Sequence, residues 1–179
     1  MRKSLGLMVA ALLAVAVTSS IALAAVNVKS LPTATFSGAT VSLTGGNFSG
    51  LGSVPAIATL TVSGTVTYTC HNPGASGGND VPGQNPVAAQ PGIASQDLGN
   101  ADHNGRGTIS NLSATATAPN PAPSTQTVGC GGKGSTGWTL VNPVVTVTGA
   151  QLVITQGGNI VFCRNYTGNG TGTPPPPAC

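Results

Sequence analysis

His71 stands nine positions before Asp80, and His103 directly follows Asp102. A histidine held by a carboxylate is the base half of a serine-type triad. Neither pair lies in a G-x-S-x-G setting, the context that raises a nucleophile onto a sharp turn. Asn100-x-Asp102-x-Asn104-Gly105 partly follows the D-x-[DN]-x-[DN]-G calcium loop. Its first ligand position is Asn, and the position that would hold the bidentate Glu is Leu112. The same residues read as a hairpin tip, because Asn-Gly favours a type I′ turn. The cysteines form no C-x-x-C pair, and neither histidine follows a finger pattern, so no zinc site is expected. Three aspartates, two histidines and no glutamate leave little material for general acid–base chemistry. The expectation is a protein without catalytic residues, metal or cofactor.

The elements that must position any site begin after residue 24. Arg2 and Lys3 precede the apolar run Leu5 to Val17, which is followed by Thr18-Ser19-Ser20 and Ala22-Leu23-Ala24. That order is a secretory signal peptide over 1–24. The apolar run is short for a membrane span, and Ala25 offers no lipid-carrying cysteine. Beyond it, Lys29, Arg106, Lys133 and Arg164 face Asp80, Asp97 and Asp102, four charges against three. Such a balance gives no footprint for nucleic acid or an anionic membrane. The remainder suits one secreted domain with a core.

The clearest pattern runs from Ile57 to Cys70. Ala58, Leu60, Val62, Val66, Tyr68 and Cys70 alternate with Thr59, Thr61, Ser63, Thr65, Thr67 and Thr69. A period of two over this length predicts a long strand with one buried face, and Gly64 within it a bend or bulge. Further strands are expected over Ala34–Thr44, Ile93–Ala101, Gly107–Thr117, Trp138–Thr148, Leu152–Thr155 and Ile160–Cys163. Pro143 argues for an edge or a bulge. Asn104-Gly105 and Gly157-Gly158-Asn159 are read as hairpin turns. With no apolar spacing of helical period, the expected fold is all-β, an immunoglobulin-like antiparallel β-sandwich over 25–163. A Gly/Pro-rich tail over 164–179 follows, with Pro174 to Pro177 in extended polyproline form.

Three stretches read as irregular: His71 to Pro86, Ala118 to Ser135 and Arg164 to Cys179. The first is the expected binding loop, through His71, Asn72, Asn79, Asp80, Gln84 and Asn85. Long connections inside small domains are often functional, and amide side chains suit adaptable hydrogen bonding. The threonine ladder Thr59, Thr61, Thr65, Thr67 and Thr69 admits ice binding, but also plain β-propensity on a solvent face. Four Asn-x-Ser/Thr sequons, at Asn47, Asn111, Asn165 and Asn169, read as chance matches in an Asn/Thr-rich chain.

Taken together, Gly50-Leu51-Gly52, Cys70-His71-Asn72-Pro73-Gly74 and Val81-Pro82-Gly83-Gln84-Asn85-Pro86 carry a resemblance. It continues through Asn104-Gly105-Arg106, Cys130 with Trp138, and Gln156-Gly157-Gly158. The chain resembles a family of small secreted bacterial β-rich proteins of unknown function, roughly from Phe36 to Val161. It departs from that pattern in Ala75-Ser76 and in the Cys-terminated tail. Four cysteines allow three pairings. The resemblance implies Cys70–Cys130. Cys163 and Cys179 both lie at or beyond the last strand, which leaves them for each other or places Cys179 in an intermolecular bridge.

These observations predict a secreted, non-catalytic extracellular domain, binding or structural, with a neutral glycan, the cell wall or another protein as partner. The alternative is a small secreted hydrolase using Asp and His. Convergence of Asp80, Asp97, Asp102, His71 and His103 in one cleft would favour it.

Overall fold

Alternating apolar and hydroxyl residues dictate strands, and strands are what the chain forms. The computed structural model describes residues 26–52, 54–74, 78–99, 105–131, 137–168 and 172–173. The strands are β1 (Asn27–Ser30), β2 (Thr33–Ser37), β3 (Thr40–Thr44), β4 (Gly46–Ser49), β5 (Ala56–Asn72), β6 (Asn79–Pro82) and β7 (Val87–Ala88). They continue with β8 (Gly92–Asp97), β9 (Gly107–Ile109), β10 (Leu112–Thr115), β11 (Thr139–Gln156), β12 (Asn159–Thr167) and β13 (Gly172–Thr173). Among the described residues there is no helix. The signal peptide expected over 1–24 lies outside them, as do Cys179 and most of the tail.

The larger sheet is built on β5 and β11, antiparallel over almost their whole length. β12 and β13 extend it beyond β11, while β6, β7 and β8 line up in turn along the other edge of β5. The smaller layer comprises two short sheets in the orders β1-β4-β9 and β2-β3-β10. Since β1 leads into β2, β3 into β4 and β9 into β10, these are three strands, each kinked in the middle. Gly45, at φ 79°, makes one of the kinks.

The inner faces meet in one core. Val41, Leu43, Phe48, Ile109 and Leu112 of the smaller layer pack with Leu60, Val62, Val66, Leu152 and Ile154 of the larger. Full burial of such a side chain stabilises by roughly 1.5–3 kcal/mol. The rings of Phe48 and Phe162 meet edge-on at 5.2 Å and tie β4 to β12. The result is a sandwich-like, all-β arrangement of antiparallel sheets.

Several expectations hold. Gly157 and Gly158, both at positive φ, form the two-residue turn between Gln156 and Asn159. Pro143 sits where the β5–β11 register shifts between Val141 and Val144, a bulge that spares its missing N–H. Opposite Gly64, β11 bulges again between Val147 and Gly149, and a Cβ on Gly64 would press on the Thr146 carbonyl. Cys70 and Cys130 are bonded, with Cα atoms 5.5 Å apart. Cys163 is also disulfide-bonded.

Other expectations are corrected. The strands on either side of Asn104-Gly105 do not pair as a hairpin: β8 joins β5 in the larger sheet, while β9 and β10 join β4 and β3. The connection therefore crosses between layers. Its Gly105 takes φ 65° because the Leu51 backbone lies against it, and Leu51 N donates to Gly105 O at 3.0 Å. Ala34–Thr44 is not one strand. Gly38, at φ 57°, turns it so that Ser37 pairs with Thr40. The expected domain end at Cys163 falls within β12, which runs on through Thr167.

Candidate functional site

The stretch 71–86, expected to be an irregular loop, carries a strand: its described residues 79–82 pair with the end of β5. This pairing of β6 sets His71 opposite Asp80 and Asn72 opposite Asn79. The side chains of His71 and Asp80 meet at 2.7 Å between Nδ1 and Oδ1. Asn72 Oδ1 accepts from Gly74 N at 3.0 Å and shapes the turn. Gly78, at φ 63°, leaves room for the imidazole; a Cβ there would sit 2.8 Å from His71 Cε1.

Past β6 the chain is held against the 124–130 turn. Gly83 N donates to Tyr68 O at 2.8 Å, Asn85 N to Val128 O at 3.0 Å, and Asn85 Nδ2 to Thr127 O at 3.3 Å. The Cys70–Cys130 bond ties that turn to the residue next to His71. The six expected binding residues thus fall into two groups. His71, Asn72, Asn79 and Asp80 sit on the hairpin, while Gln84 and Asn85 line its junction with the turn, where Asn85 is committed to structure.

The proposed acid–base groups do not all converge. Asp97 pairs with Ile57, fourteen positions along β5 from His71. At about 3.3 Å per residue that is roughly 45 Å away. Its Oδ1 accepts from Gly99 N at 2.8 Å. Asp102 and His103, with Asn100 and Asn104 of the calcium-loop reading, lie outside the described residues. Among those described, no three His, Cys, Asp or Glu side chains cluster to hold a metal. No helix among them is long and apolar enough to cross a membrane.

Between Asp97 and the His71–Asp80 pair stretches the outer face of the larger sheet. Thr59, Thr61, Thr65, Thr67 and Thr69 run along β5, with Ser95 and Ile93 on β8, Val153, Gln151, Thr146 and Val144 on β11, and Asn165 on β12. Its outward positions carry no ionisable side chain among the described residues. Ile93, 68% exposed, and Val144, 58% exposed, stand out from it. The ladder is real, but the surface is not a plane. At the second bulge Gly149 has no side chain, leaving a depression of about 320 Å³ edged by Thr61, Ser63, Gln151 and Asn165. A lattice-matching array needs flatness, and this depression interrupts the ladder's face.

The inner face holds a polar group of another kind. The Tyr166 hydroxyl is buried without a protein partner. Burial pushes its pKa up to about 12, opposed by the charge of Arg164. Between about pH 10 and 12 the unfolded chain has lost this proton while the folded chain keeps it. Stability should therefore fall as pH rises through that window, by at most about 2–3 kcal/mol. Tyr166→Phe should flatten the decline. At neutral pH it should match or exceed the wild type, since the lost hydroxyl made no protein hydrogen bond. Urea unfolding at pH 8, 10 and 11.5 measures both.

No family model, no curated protein and no solved structure matches the chain. The resemblance to secreted bacterial β-rich proteins therefore rests on the quoted residues. Those residues meet in space. Gln156 Nε2 donates to Val54 O at 2.7 Å and to Gly52 O at 3.3 Å, and its Oε1 accepts from Gly52 N at 3.3 Å. Gly105 meets Leu51, and Gly83 meets Val128 of the Cys130 turn. Motif residues that look like chemistry in the sequence act here as joints.

Proposed function

We propose that the protein is a secreted, non-catalytic, immunoglobulin-like β-sandwich domain that binds a neutral partner at the cell exterior: a glycan, a cell-wall polymer or another protein. The observation that carries this reading is the charge-free hydroxyl and amide face of the larger sheet, ending at a hairpin held in shape by the Cys70–Cys130 bond. Three kinked strands packed on a larger sheet suit the immunoglobulin-like description. The bridge departs from it, because Cys70 joins a loop cysteine and not a strand of the opposite layer. A disulfide and the absence of a membrane-spanning helix among the described residues are compatible with an extracellular place.

A polar partner would meet His71, Asn72, Asn79, Asp80 and Gln84 in a preformed arrangement, which lowers the ordering cost of binding. The double variant His71→Ala/Asp80→Ala should lose most retention on isolated cell wall or on a glycan array. Its melting temperature should stay within a few degrees, because an exposed pair contributes about 1 kcal/mol or less. Unchanged retention would count against the hairpin as the contact.

The second reading is a small secreted hydrolase, favoured by the 2.7 Å contact of His71 with Asp80. In that geometry the carboxylate orients the imidazole and leaves Nε2 to take a proton. Turnover of an ester or glycoside substrate that disappears in His71→Ala would establish it in place of the first.

A further inference from the structure

We propose that the outer face of the smaller layer binds an acidic polysaccharide, with a uronate carboxylate held between Lys29 and Arg106. The two cations flank β4 from opposite sides. Val28 pairs with Phe48 and Ser30 with Asn47, so Lys29 is the extra residue of a β-bulge. A bulge re-aims a side chain, and this one turns Lys29 outward beside Ser30. Arg106 immediately precedes Gly107, the partner of Phe48, and so comes level with Ser49 on the other side. Lys29, Asn47, Ser49, Arg106 and Thr108, with Phe48 and Gly107, line one depression of about 290 Å³, and among the described residues no acidic one lines it. Arg106 has other interactions of its own. A guanidinium carries five N–H donors, so it can hold a carboxylate beside those interactions.

The floor of the depression is ordered for hydrogen bonding. Thr108 Oγ1 donates to Asn47 Oδ1 at 3.0 Å, and Asn47 Nδ2 donates to Ser30 Oγ at 2.8 Å. The rows continue along the layer. Ser42 Oγ and Ser113 Oγ are 2.7 Å apart, and Thr40 Oγ1 and Thr115 Oγ1 are 2.8 Å apart. Thr35 and Ser37 on β2 pair with Ser42 and Thr40 and complete two of the rows. The face is thus a field of hydroxyls and amides, with positive charge at one end. A hydroxyl-rich chain bearing carboxylates complements both parts, because charge-assisted bonds anchor the anion and the rows exchange bonds with sugar hydroxyls.

This surface lies on the opposite layer from the one assigned above, so the two readings fail separately. The test is calorimetric titration of the purified protein with oligouronates, a neutral glucan of equal length, and inorganic phosphate. Wild type should bind the oligouronate, with phosphate at least tenfold weaker, and any binding of the neutral glucan, which would belong to the opposite layer, should be unchanged in Lys29→Ala and Arg106→Ala. Lys29→Ala and Arg106→Ala should each weaken oligouronate binding about fivefold, with Lys29→Arg retaining it. Thr108→Val, which keeps both cations, should give an intermediate loss. His71→Ala/Asp80→Ala should bind as wild type. No oligouronate binding by wild type, an equal loss of glucan and oligouronate binding in Lys29→Ala and Arg106→Ala, or unchanged oligouronate affinity in those folded variants would overturn the proposal. Equal affinity for phosphate would do the same, since it would leave a bare anion site without a polymer.

Discussion

The double variant Cys70→Ala/Cys130→Ala should lose about 4 kcal/mol of stability, the largest loss expected from the removal of any one cross-link here. The bond closes a loop across a sequence separation of 60 residues, and chain-entropy arguments put the value of such a loop near that figure. Cys70 is fully buried and Cys130 nearly so, and the alanines would leave part of their volume empty. Total stability of a domain this size is roughly 5–15 kcal/mol, so the variant should remain folded but marginal. Denaturant unfolding under oxidising and reducing conditions measures the loss. Reduction of wild type should move its midpoint at least as far as that of the variant, since it also opens the bridge of Cys163. A shift under about 1 kcal/mol would mean that the hairpin and the 124–130 turn hold each other without the bond, through Asn85 and Gly83.

The sequence made β5 legible from Ile57 to Cys70 because one face is wet and the other dry. The same clarity failed where both ends of a segment obey one period but the chain reverses between them. Thr35 and Thr40 both lie on the outer face although they stand an odd number of positions apart, and the turn at Gly38 that separates β2 from β3 is what shifts the phase. Asn104-Gly105 carries a local turn signal, yet the flanking strands β8 and β9 belong to different layers. Which layer a strand joins depends on long-range contacts, here Leu51 against Gly105, that no local signal encodes. The hairpin at 71–86 was hidden for a third reason. Glycines and prolines flank β6, and its four residues, all exposed, show no alternation. Lys29 shows the same limit at the other layer. A lone lysine near the start of the first strand carries no sign of a partner. It gains one only because β4 brings Arg106, seventy-seven positions later in the chain, to its far side.

Gly92→Ala should destabilise by about 3 kcal/mol, although it adds a single methyl to a strand. Gly92 opens β8 in the larger sheet, and its backbone passes directly over Thr115 of β10 in the smaller layer. A Cβ at Gly92 would press on the Thr115 carbonyl and stand 2.8 Å from Thr115 N. The neighbours are backbone atoms, so no rotamer change can relieve the contact. Relief must come from separating the layers. Just beside this point Gln90 and Thr117 exchange two backbone bonds, of 2.9 and 3.1 Å, that close the edge between the sheets. The methyl should weaken that closure, and amide exchange at Gln90 and Thr117 should accelerate more than at Leu60 in the centre of β5. Gly168→Ala provides the contrast: nothing lies within 4 Å of the added carbon, and the change should stay within about 0.5 kcal/mol. Comparable effects for the two substitutions would mean that the layers part at Gly92 without cost. The core of Leu112, Ala114 and Leu60 would then have to hold them together unaided by that edge.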